Sequence, residues 1–446
     1  MVPAETAAAV CRDSVELDVW SDTQTMARSK RILVLTPQLP YPPRQGTAIR
    51  NYNLIAHLAR RHRLHLLTFL QEGDELAADS PLLDHCERVE CVPSPRRTQT
   101  QRVLTTATSH LPDMALRLAS GMFQERLSAL FASETYDVVQ IEGIEMAPYG
   151  LWLHGRPRFS GLSPRPLLVF DDHNAEYLLQ QRVFETDLRR PRRWPGALYS
   201  LIQWRKLRRY EAHVCRQVDG VAAVSEADAT ALRRLVPGLE VSVVPNGVDL
   251  SFYDESAVSG RSGAVRLPPS SLVFTGKMDF RPNVDAVLWF AADILPLIRA
   301  ERPDVHFVVV GQKPHARLDP LRQREDVTIT GWVEDVRPYF SGAAVYVAPL
   351  RMGGGTRLKL LEAMSMSKAI VSTSLGCEGF DVTDGQEMRI ADGAQAFARA
   401  VLELMENSAQ RESLARRAHS FVEAHYDWEA IVPGLEKLYD VRDGGE

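Results

Sequence analysis

A glycine-rich loop that runs directly into a helix offers the clearest chemistry in this sequence. The segment from Gly353 to Glu362 reads G-G-G-T-R-L-K-L-L-E and follows a strand-like apolar run over 344–348. Glycines allow a ligand to approach the backbone closely, and the free N–H groups of a first helical turn attract an anion such as a pyrophosphate. The residues that we expect beside such a ligand are Gly354, Gly355, Thr356 and Arg357.

One face of this predicted helix combines a cation with a carboxylate. Lys359 and Glu362 lie four and seven residues after Gly355, so the three positions share a face. Apolar residues flank Glu362, and a carboxylate in such surroundings needs polar partners, which the hydroxyls of a sugar diol would supply. The alternative is an ordinary amphipathic helix in which Glu362 pairs with Lys359.

A second glycine turn places cations after another predicted strand. The run over 271–275 is followed by Gly276 and then by Lys277 and Arg281. A cation at this position could hold a diphosphate and stabilise the charge that grows on a departing nucleotide. The alternative for Lys277 is a solvent-exposed turn residue, which is the commoner environment of lysine.

Three further positions follow predicted strands, where ligands of parallel α/β folds collect. Gly46 lies between a proline-stiffened loop and a helix, His173 follows the strand predicted over 166–171, and Gly331 with Trp332 follows the strand over 327–330. Each has an alternative: a plain βα turn for Gly46, a structural histidine for His173 and a core residue for Trp332.

Apolar runs of strand length alternate with helix-length segments twice along the 446 residues, which predicts two α/β domains with parallel sheets. We expect a flexible extension over 1–30, a first domain over 31–250, a linker over 251–270 and a second domain over 271–427. A C-terminal helix over 428–446 packs on the second domain or crosses back to the first. The predicted strands are 31–36, 64–70, 136–141, 166–171, 220–224, 241–244, 271–275, 305–310, 327–330, 344–348, 369–373 and 388–391.

Composition excludes several classes of protein. No run reaches the roughly 18 uncharged apolar residues of a membrane span. The five cysteines form no pair of C-x-x-C motifs, so neither a disulfide framework nor a zinc site is expected, and a cytoplasmic location is favoured. The net charge of −5 argues against a general nucleic-acid partner.

A basic stretch over 182–209 interleaves arginines with apolar side chains. Its only acidic residues are Glu185 and Asp187. Such a segment can lie on an anionic membrane surface, as on the inner membrane, whereas a solvated charged helix face is the alternative. The basic residues are Arg182, Arg189, Arg190, Arg192, Arg193, Arg205, Lys206, Arg208 and Arg209.

From Arg31 to Tyr439 the chain resembles the retaining family-4 glycosyltransferases of the GT-B fold, in which two Rossmann-like domains face a central cleft. The resemblance is strongest over Gly353 to Glu362, which is similar to the E-x7-E signature of that family. Glu362 takes the place of the second glutamate. Gly354 stands where the first is usual, and the form G-x-G-T-R-x-K-x-x-E resembles a subgroup.

The resemblance implies a role for each position. Glu362 would hold the donor ribose and Lys277 the phosphate, while His173 would orient the transferred sugar. Gly46 would face the diphosphate and the acceptor, and Gly331 with Trp332 would receive the base. The segment P-N-G-V-D over 245–249 is similar to the hinge signature of the family.

The implied activity is transfer of a sugar from a nucleotide-diphosphate donor to an acceptor hydroxyl, which is lipid-linked, part of a polysaccharide or a small molecule. Configuration is retained, with no metal and no cofactor besides the donor substrate. Two alternatives stay open: a GT-B epimerase acting on a nucleotide sugar, and a degenerate binding protein, which Gly354 suggests. A dehydrogenase is disfavoured because no G-x-G-x-x-G follows Thr36.

Overall fold

The computed structural model describes residues 29–43, 46–155, 165–188, 194–254, 265, 267–353 and 357–440. Several predictions fall on other residues: most of the N-terminal extension, most of the linker, the arginines over 189–193, and Gly354, Gly355 and Thr356 all lie outside the described part of the chain. Within it, thirteen strands form two separate sheets.

The first sheet has seven strands, all parallel, in the order β3-β2-β1-β4-β5-β6-β7. Apolar side chains cover both of its faces, which explains why its central strands read as continuous apolar runs. The strands are β1 Arg31–Thr36, β2 Arg63–Leu70, β3 Arg88–Pro93, β4 Val138–Glu142, β5 Leu167–Asp172, β6 Gly220–Ala223 and β7 Ser242–Val243.

Nine described α-helices accompany the first sheet. They are α1 Gly46–Leu58, α2 Leu82–His85, α3 Gln99–Thr108, α4 Asp113–Arg117, α5 Gly121–Ser133, α6 Ala147–His154, α7 Glu176–Leu188, α8 Trp194–Gln217 and α9 Glu226–Leu235. The pair α7 and α8 packs as a helical hairpin, in which the rings of Phe184 and Trp204 stack with centroids 5.9 Å apart.

The second sheet has six parallel strands in the order β10-β9-β8-β11-β12-β13. The strands are β8 Ser271–Thr275, β9 His306–Val310, β10 Val327–Ile329, β11 Val345–Ala348, β12 Ile370–Ser372 and β13 Arg389–Ile390. The α-helices that follow β8 along the chain are α10 Arg281–Trp289, α11 Leu295–Glu301, α12 Arg337–Ser341, α13 Leu358–Ser365, α14 Ala394–Glu406, α15 Ser408–Tyr426 and α16 Trp428–Glu436. A π-helical turn, Phe290–Ile294, joins α10 to α11, and 3-10 turns span Ala316–Gln323 and Lys437–Asp440.

The structure confirms all twelve predicted strands, with ends that differ by at most two residues. The strand that the sequence analysis missed is β3. It lies at the edge of the sheet, and charged side chains such as Arg88 and Glu90 interrupt its apolar residues. An edge strand is covered less completely than a central one, so it lacks the continuous apolar run that marks the others.

The state of the cysteines and the length of the helices bear on two protein classes that the composition excludes. Cys86, Cys91, Cys215 and Cys377, the cysteines of the described part of the chain, are free thiols. Among the described residues, no helix is both long enough and apolar enough to cross a bilayer.

The C-terminal helix α16 packs on the first sheet, which answers the question left open by the sequence. Trp428, Ile431 and Leu435 are buried in the same apolar cluster as Ile32 and Val34 of β1, and the helix packs beside α1 and β7. The backbone of Val248, just beyond the first sheet, donates a hydrogen bond of 2.9 Å to Tyr426 O at the end of α15. The chain therefore returns from the second sheet to complete the core of the first.

Replacing Trp428 by alanine should destabilise the first domain by about 3–5 kcal/mol, because the side chain is fully buried and its removal leaves a cavity. Chemical denaturation followed by circular dichroism measures this change. Trp332→Ala is the matched control, because that ring is 71% exposed, and it should alter stability by no more than about 0.5 kcal/mol. Equal losses in both variants would contradict the packing of α16.

Candidate functional site

Two polar clusters lie at the carboxyl ends of central strands, one on each sheet. On the first sheet, β4 ends at Glu142 and β5 continues into His173. These strands are parallel neighbours, with Glu142 opposite Asp171. Glu142 Oε2 lies 2.9 Å from His173 Nε2, so the carboxylate orients the ring. Asp171 Oδ2 lies farther from the same nitrogen, at 3.9 Å.

Arg50 of α1 completes the first cluster. Its guanidinium forms a bidentate ion pair with Asp171, with Nε to Oδ2 at 2.7 Å and Nη2 to Oδ1 at 2.9 Å. The remaining nitrogen donates to Pro245 O at 3.0 Å and to Asn246 Oδ1 at 3.2 Å, in the predicted hinge. Arg50 therefore connects the end of β5 with the segment that leaves the first domain.

The charged groups in this cluster shift one another's pKa values. Burial and the charge of Asp171 raise the pKa of Glu142. Burial would also raise the pKa of Asp171, but Arg50 outweighs it and holds that pKa below its ordinary value. Burial lowers the pKa of His173, yet its hydrogen bond to Glu142 and the charge of Asp171 outweigh burial and raise it. The protonated form of His173 is therefore favoured.

The ligand atoms of Glu142, Asp171 and His173 lie within 4.8 Å of one another, close enough to hold a metal ion. Other groups already occupy these atoms. Arg50 supplies a cation to Asp171, and the Asn51 amide nitrogen donates to Glu142 Oε2 at 2.8 Å when that amide is oriented toward the carboxylate. The contacts are those of a self-compensated ion-pair network.

A second pair of carboxyl groups supports the same edge of the first sheet. Glu211 of α8 accepts the backbone N–H groups of Glu176 and Tyr177, each at 2.9 Å, at the start of α7. Burial raises the pKa of Glu211 to about 7. Burial and the charge of Glu211 raise the pKa of Asp172 well above its usual range. Such a pair holds a proton near neutral pH and fixes the helix that follows His173.

On the second sheet, Lys359 of α13 reaches the turn after β8. Its Nζ donates to Asn283 Oδ1 at 2.7 Å and lies 4.3 Å from the centre of the Phe274 ring. Burial lowers the pKa of Lys359 to about 7, although the charge of Glu362 acts in the opposite direction. Gly276 leaves room for this contact, because a Cβ there would lie 2.8 Å from Nζ.

Glu362 is half-buried one turn further along α13. Burial raises its pKa, whereas a hydrogen bond from the Tyr253 hydroxyl and the charge of Lys359 lower it. Burial and Glu362 together raise the pKa of Tyr253 well above its usual value. Glu362 therefore has a polar partner that the sequence analysis did not identify, contributed by the segment after the predicted hinge.

The other predicted cations lie in different environments. Lys277 is exposed, with Nζ 3.6 Å from Asp279 Oδ2, and Arg281 is exposed at the start of α10. Arg357 is buried before α13, and burial lowers its pKa. Gly353 has φ +108°, and a Cβ there would lie 3.2 Å from Arg357 Nη1. Lys359 and Arg357 are thus enclosed, whereas the pair after β8 faces solvent.

The predicted turn glycines and the tryptophan are accessible. Gly46 begins α1, and no atom lies within 4 Å of a Cβ built on it. Gly331 has φ +75°, and a Cβ there likewise meets nothing. Trp332 is 71% exposed, so the alternative of a core residue is wrong. An exposed indole beside an open glycine is free to contact a planar ligand.

Four residues of the two clusters were missed by the sequence analysis. Glu142 contacts His173 and Arg50 contacts Asp171, while Asn283 contacts Lys359 and Tyr253 contacts Glu362. A charged residue within an apolar stretch is a usable signal for Glu142, which ends the strand V-V-Q-I-E. The other three become neighbours of the site only through long-range packing.

Comparisons with known proteins match both halves of the chain. The family model described as Glycosyltransferase Family 4 covers residues 44–252, and the model described as Glycosyl transferases group 1 covers residues 269–407. A phosphatidyl-myo-inositol mannosyltransferase of Mycolicibacterium smegmatis is 28% identical over 217 residues, which are 46% of this chain and 53% of that protein. An uncharacterised 44.6 kDa protein from the cps region of Klebsiella pneumoniae is 23% identical over 175 residues, 37% of this chain and 45% of its own length. The aligned part of the chain thus spans about half the length of these curated relatives.

Solved structures share the arrangement of both domains. HepE from Anabaena, crystallised with UDP and glucose, aligns with a TM-score of 0.60 at 16% identity over 92% of this chain and 98% of its own. Sucrose-phosphate synthase from Thermosynechococcus elongatus gives 0.66 at 18% identity, over 94% and 100%. These likenesses confirm the predicted fold. The two halves of the chain are thus similar to the Glycosyltransferase Family 4 and Glycosyl transferases group 1 models, and its two-domain Rossmann-like fold is GT-B.

Proposed function

We propose that this protein transfers a sugar from a nucleotide-diphosphate donor to an acceptor hydroxyl, with retention of configuration and without a metal. The observation that carries the proposal is the pairing of Lys359 and Glu362 on α13. Both side chains are half-buried, and among the described residues they form no direct ion pair with each other. Lys359 instead contacts Asn283 after the β8 turn, and Glu362 contacts the Tyr253 hydroxyl. A diphosphate and a ribose diol would complement these two charges.

Two relatives support this substrate class. HepE was crystallised with UDP and glucose, and the matched mycobacterial relative is a phosphatidyl-myo-inositol mannosyltransferase. We assign Glu362 to the ribose hydroxyls, Lys359 and Arg357 to the diphosphate, and Gly331 with Trp332 to the base. Gly354, Gly355 and Thr356 stay sequence predictions for the phosphate loop.

We assign the exposed cations after β8 a secondary role in binding the diphosphate. Lys277 and Arg281 lie at the solvent side of the turn, where the interaction of a cation with phosphate is weakened by water and salt. Lys359 is enclosed, so its charge acts through a lower effective dielectric. We therefore propose that Lys359 carries more of the diphosphate interaction than either exposed residue, although Lys277 was the sequence-based expectation.

The proposed reaction relies on polar and charged side chains that the folded protein already positions. The bond between the anomeric carbon and the diphosphate breaks, and the acceptor oxygen bonds to the same face of the sugar. The departing phosphate accepts the proton of the acceptor hydroxyl, while Lys359 stabilises the developing negative charge. His173, held by Glu142, orients the transferred sugar from the first domain.

Glu362→Ala should weaken UDP binding about 10- to 100-fold, which corresponds to the loss of charge-assisted hydrogen bonds to the ribose. Isothermal titration calorimetry measures the dissociation constant. Glu423→Ala removes an exposed glutamate from the same domain and serves as the control. Unchanged UDP affinity in Glu362→Ala would refute the donor assignment, and donor turnover without transfer to any acceptor would favour the epimerase.

UDP affinity should fall as the pH rises above 7. The pKa of Lys359 is lowered to about 7 in the free protein, so the ammonium loses its proton there, while bound diphosphate favours the protonated form. The expected loss approaches about tenfold per pH unit above that value. Lys359→Met should bind UDP weakly with little of this slope. Lys277→Met should keep the pH dependence of UDP affinity. If this dependence persisted in Lys359→Met and disappeared in Lys277→Met, the diphosphate interaction would belong to Lys277.

We also propose that α8 holds the protein on an anionic membrane surface. The part of α8 before Glu211 packs against α3, where Gln203 Nε2 donates to Thr106 Oγ1 at 3.1 Å and Lys206 Nζ donates to Thr106 O at 2.7 Å. Trp194 and Leu198 are 58% and 60% exposed on the outer face of this part of the helix. Further along the same exposed face, a surface depression is lined by Arg205, Arg208, Arg209 and Arg216.

This surface combines apolar contact with positive charge. Arg205, Arg208, Arg209 and Arg216 form no ion pair with any described carboxylate, and no acidic residue lies between Trp194 and Tyr210. Bilayer headgroups would supply the missing negative charge, at about 1 kcal/mol for each basic residue near the lipid. The exposed tryptophan fits the interfacial region of such a bilayer.

Sedimentation with vesicles of phosphatidylglycerol and phosphatidylcholine tests the membrane proposal. Binding should increase with the phosphatidylglycerol fraction, decrease with salt, and fall at least several-fold in the double variant Trp194→Ser/Arg209→Ser. Arg399→Ser, an exposed arginine of the second domain, is the control. Binding that ignores both lipid charge and salt would contradict the proposal.

A further inference from the structure

The spacing of Lys359 and Glu362 on α13 is one that ordinarily produces an ion pair. The two residues are three positions apart, and opposite charges at that spacing lie on neighbouring turns of a helix, within reach of each other. In the part of the chain that the structure describes, they nevertheless form no ion pair, because the polar end of each contacts a neutral group from another element. The fold thus keeps apart two charges that helix geometry would join.

Asn283 contacts the ammonium from the start of α10. Lys359 Nζ donates to Asn283 Oδ1 at 2.7 Å, and Asn283 Nδ2 donates to Lys277 O at 2.9 Å. The second hydrogen bond fixes the amide, so that its oxygen is presented to the ammonium. A Cβ on Gly276 would lie 2.7 Å from Asn283 Nδ2, so a residue without a side chain is required beside this contact. The position of Asn283 is therefore set independently of α13.

Tyr253 contacts the carboxylate from the connection between the two sheets. Its hydroxyl donates to Glu362, and its ring packs edge-on against Phe340, with centroids 6.5 Å apart. The backbone just before it is also held. Arg337 Nη1 donates to Phe252 O at 2.8 Å, and the guanidinium carbon lies 4.0 Å from the centre of the Phe252 ring. The hydroxyl that reaches Glu362 is therefore fixed by groups outside α13.

The neutrality of both partners matters for a charged ligand. An amide and a hydroxyl satisfy the hydrogen-bonding requirement of a half-buried charge without cancelling that charge. A direct ion pair between Lys359 and Glu362 would cancel both charges, and a donor would have to break it before it could bind either group. Contacts to Asn283 and Tyr253 can be exchanged for contacts to a ligand while each charge is retained.

We propose that Asn283 and Tyr253 are positioning residues, which hold the Lys359 ammonium and the Glu362 carboxylate apart so that each charge stays available to a different part of the donor. The ammonium is kept for the diphosphate and the carboxylate for the ribose diol. The inference rests on the proposed donor assignment and adds two residues that act through Lys359 and Glu362 rather than on the reacting atoms.

The titration of Lys359 in the free protein tests this separation without any ligand. Burial and the charge of Arg357 lower the pKa of Lys359 to about 7, against the opposing charge of Glu362. Tyr253→Phe keeps the ring and removes only the hydroxyl, which allows Glu362 to pair with Lys359. An ion pair favours the charged amine, so the midpoint of the titration should move upward by about one pH unit. NMR of protein labelled at the lysine ε-carbon follows the titration, and Lys359→Met identifies the signal.

The other charged groups near this pair are unchanged in the variant. Glu362 also acts on Tyr346 of β11, and the Tyr253 hydroxyl is influenced by Arg337 and Asp335. Asn283→Ala removes the other neutral partner and should raise the Lys359 midpoint in the same direction. Tyr426→Phe, which removes another partly buried hydroxyl that follows β8 along the chain, is the control and should leave the midpoint unchanged.

UDP affinity, measured by isothermal titration calorimetry, gives the second readout. At pH 6 Lys359 is charged in the wild type and in Tyr253→Phe, and the variant should bind UDP about tenfold more weakly, because one pH unit of stabilisation corresponds to a factor of ten. In Lys359→Met no such pair can form, so adding Tyr253→Phe should weaken binding by no more than about twofold further. Losses that fail to add in this way identify coupled residues.

The outcomes separate the two proposals. If Tyr253→Phe and Asn283→Ala keep the wild-type midpoint of Lys359, the positioning inference is overturned, whatever their thermal stability, and the donor site stands on Glu362→Ala and Lys359→Met. Losses of UDP affinity that add in the double variant would also overturn it. If the midpoint rises as expected but neither Glu362→Ala nor Lys359→Met weakens UDP binding, the charges are held apart and the donor proposal fails alone.

Discussion

The ion pair between Arg50 and Asp171 is the constraint on which the first domain's site depends. Both side chains are almost completely buried, so each would be costly without the other, at about 3–5 kcal/mol for a broken pair. Because Arg50 also binds the carbonyl of Pro245 and the amide of Asn246, the same guanidinium fixes the segment that leaves the domain. His173 owes its position and charge to this network through Glu142 and Asp171.

In the second domain, burial acts mainly by shifting the pKa values of the candidate site residues. Lys359 and Glu362 are half-buried, Lys359 over the Phe274 ring and Glu362 among the apolar residues of α13, and burial moves both pKa values toward neutrality. A group with such a pKa responds strongly to a ligand of opposite charge, because the ligand replaces the solvation that folding removed. In the free protein, Asn283 and Tyr253 are neutral hydrogen-bond partners of Lys359 and Glu362.

The chain crosses twice between the domains and so connects their two candidate sites. The last helix returns to the first sheet, where Trp428 and Leu435 complete a core whose residues from the first domain lie between Ile32 and Val244. Tyr253 belongs to the outgoing connection and reaches Glu362, while Val248 in the same connection pairs with the end of α15. The outgoing connection therefore ends beside Glu362, which we assign to substrate binding, and the return crossing is held to that same connection.

Local sequence patterns are sufficient to predict the parallel sheets and the strand ends at which polar residues gather. Strands buried on both faces must be apolar throughout, so their positions can be predicted directly, whereas that of the half-covered edge strand Arg88–Pro93 could not. The shared face of Lys359 and Glu362 is also predictable, because helical periodicity is local. Long-range packing, by contrast, sets the contact of Arg50 with Asp171 over 121 positions, the contact of Lys359 with Asn283, and the exposure of Lys277. Those facts depend on which elements pack together and how completely they exclude water, and neither quantity is contained in local sequence patterns.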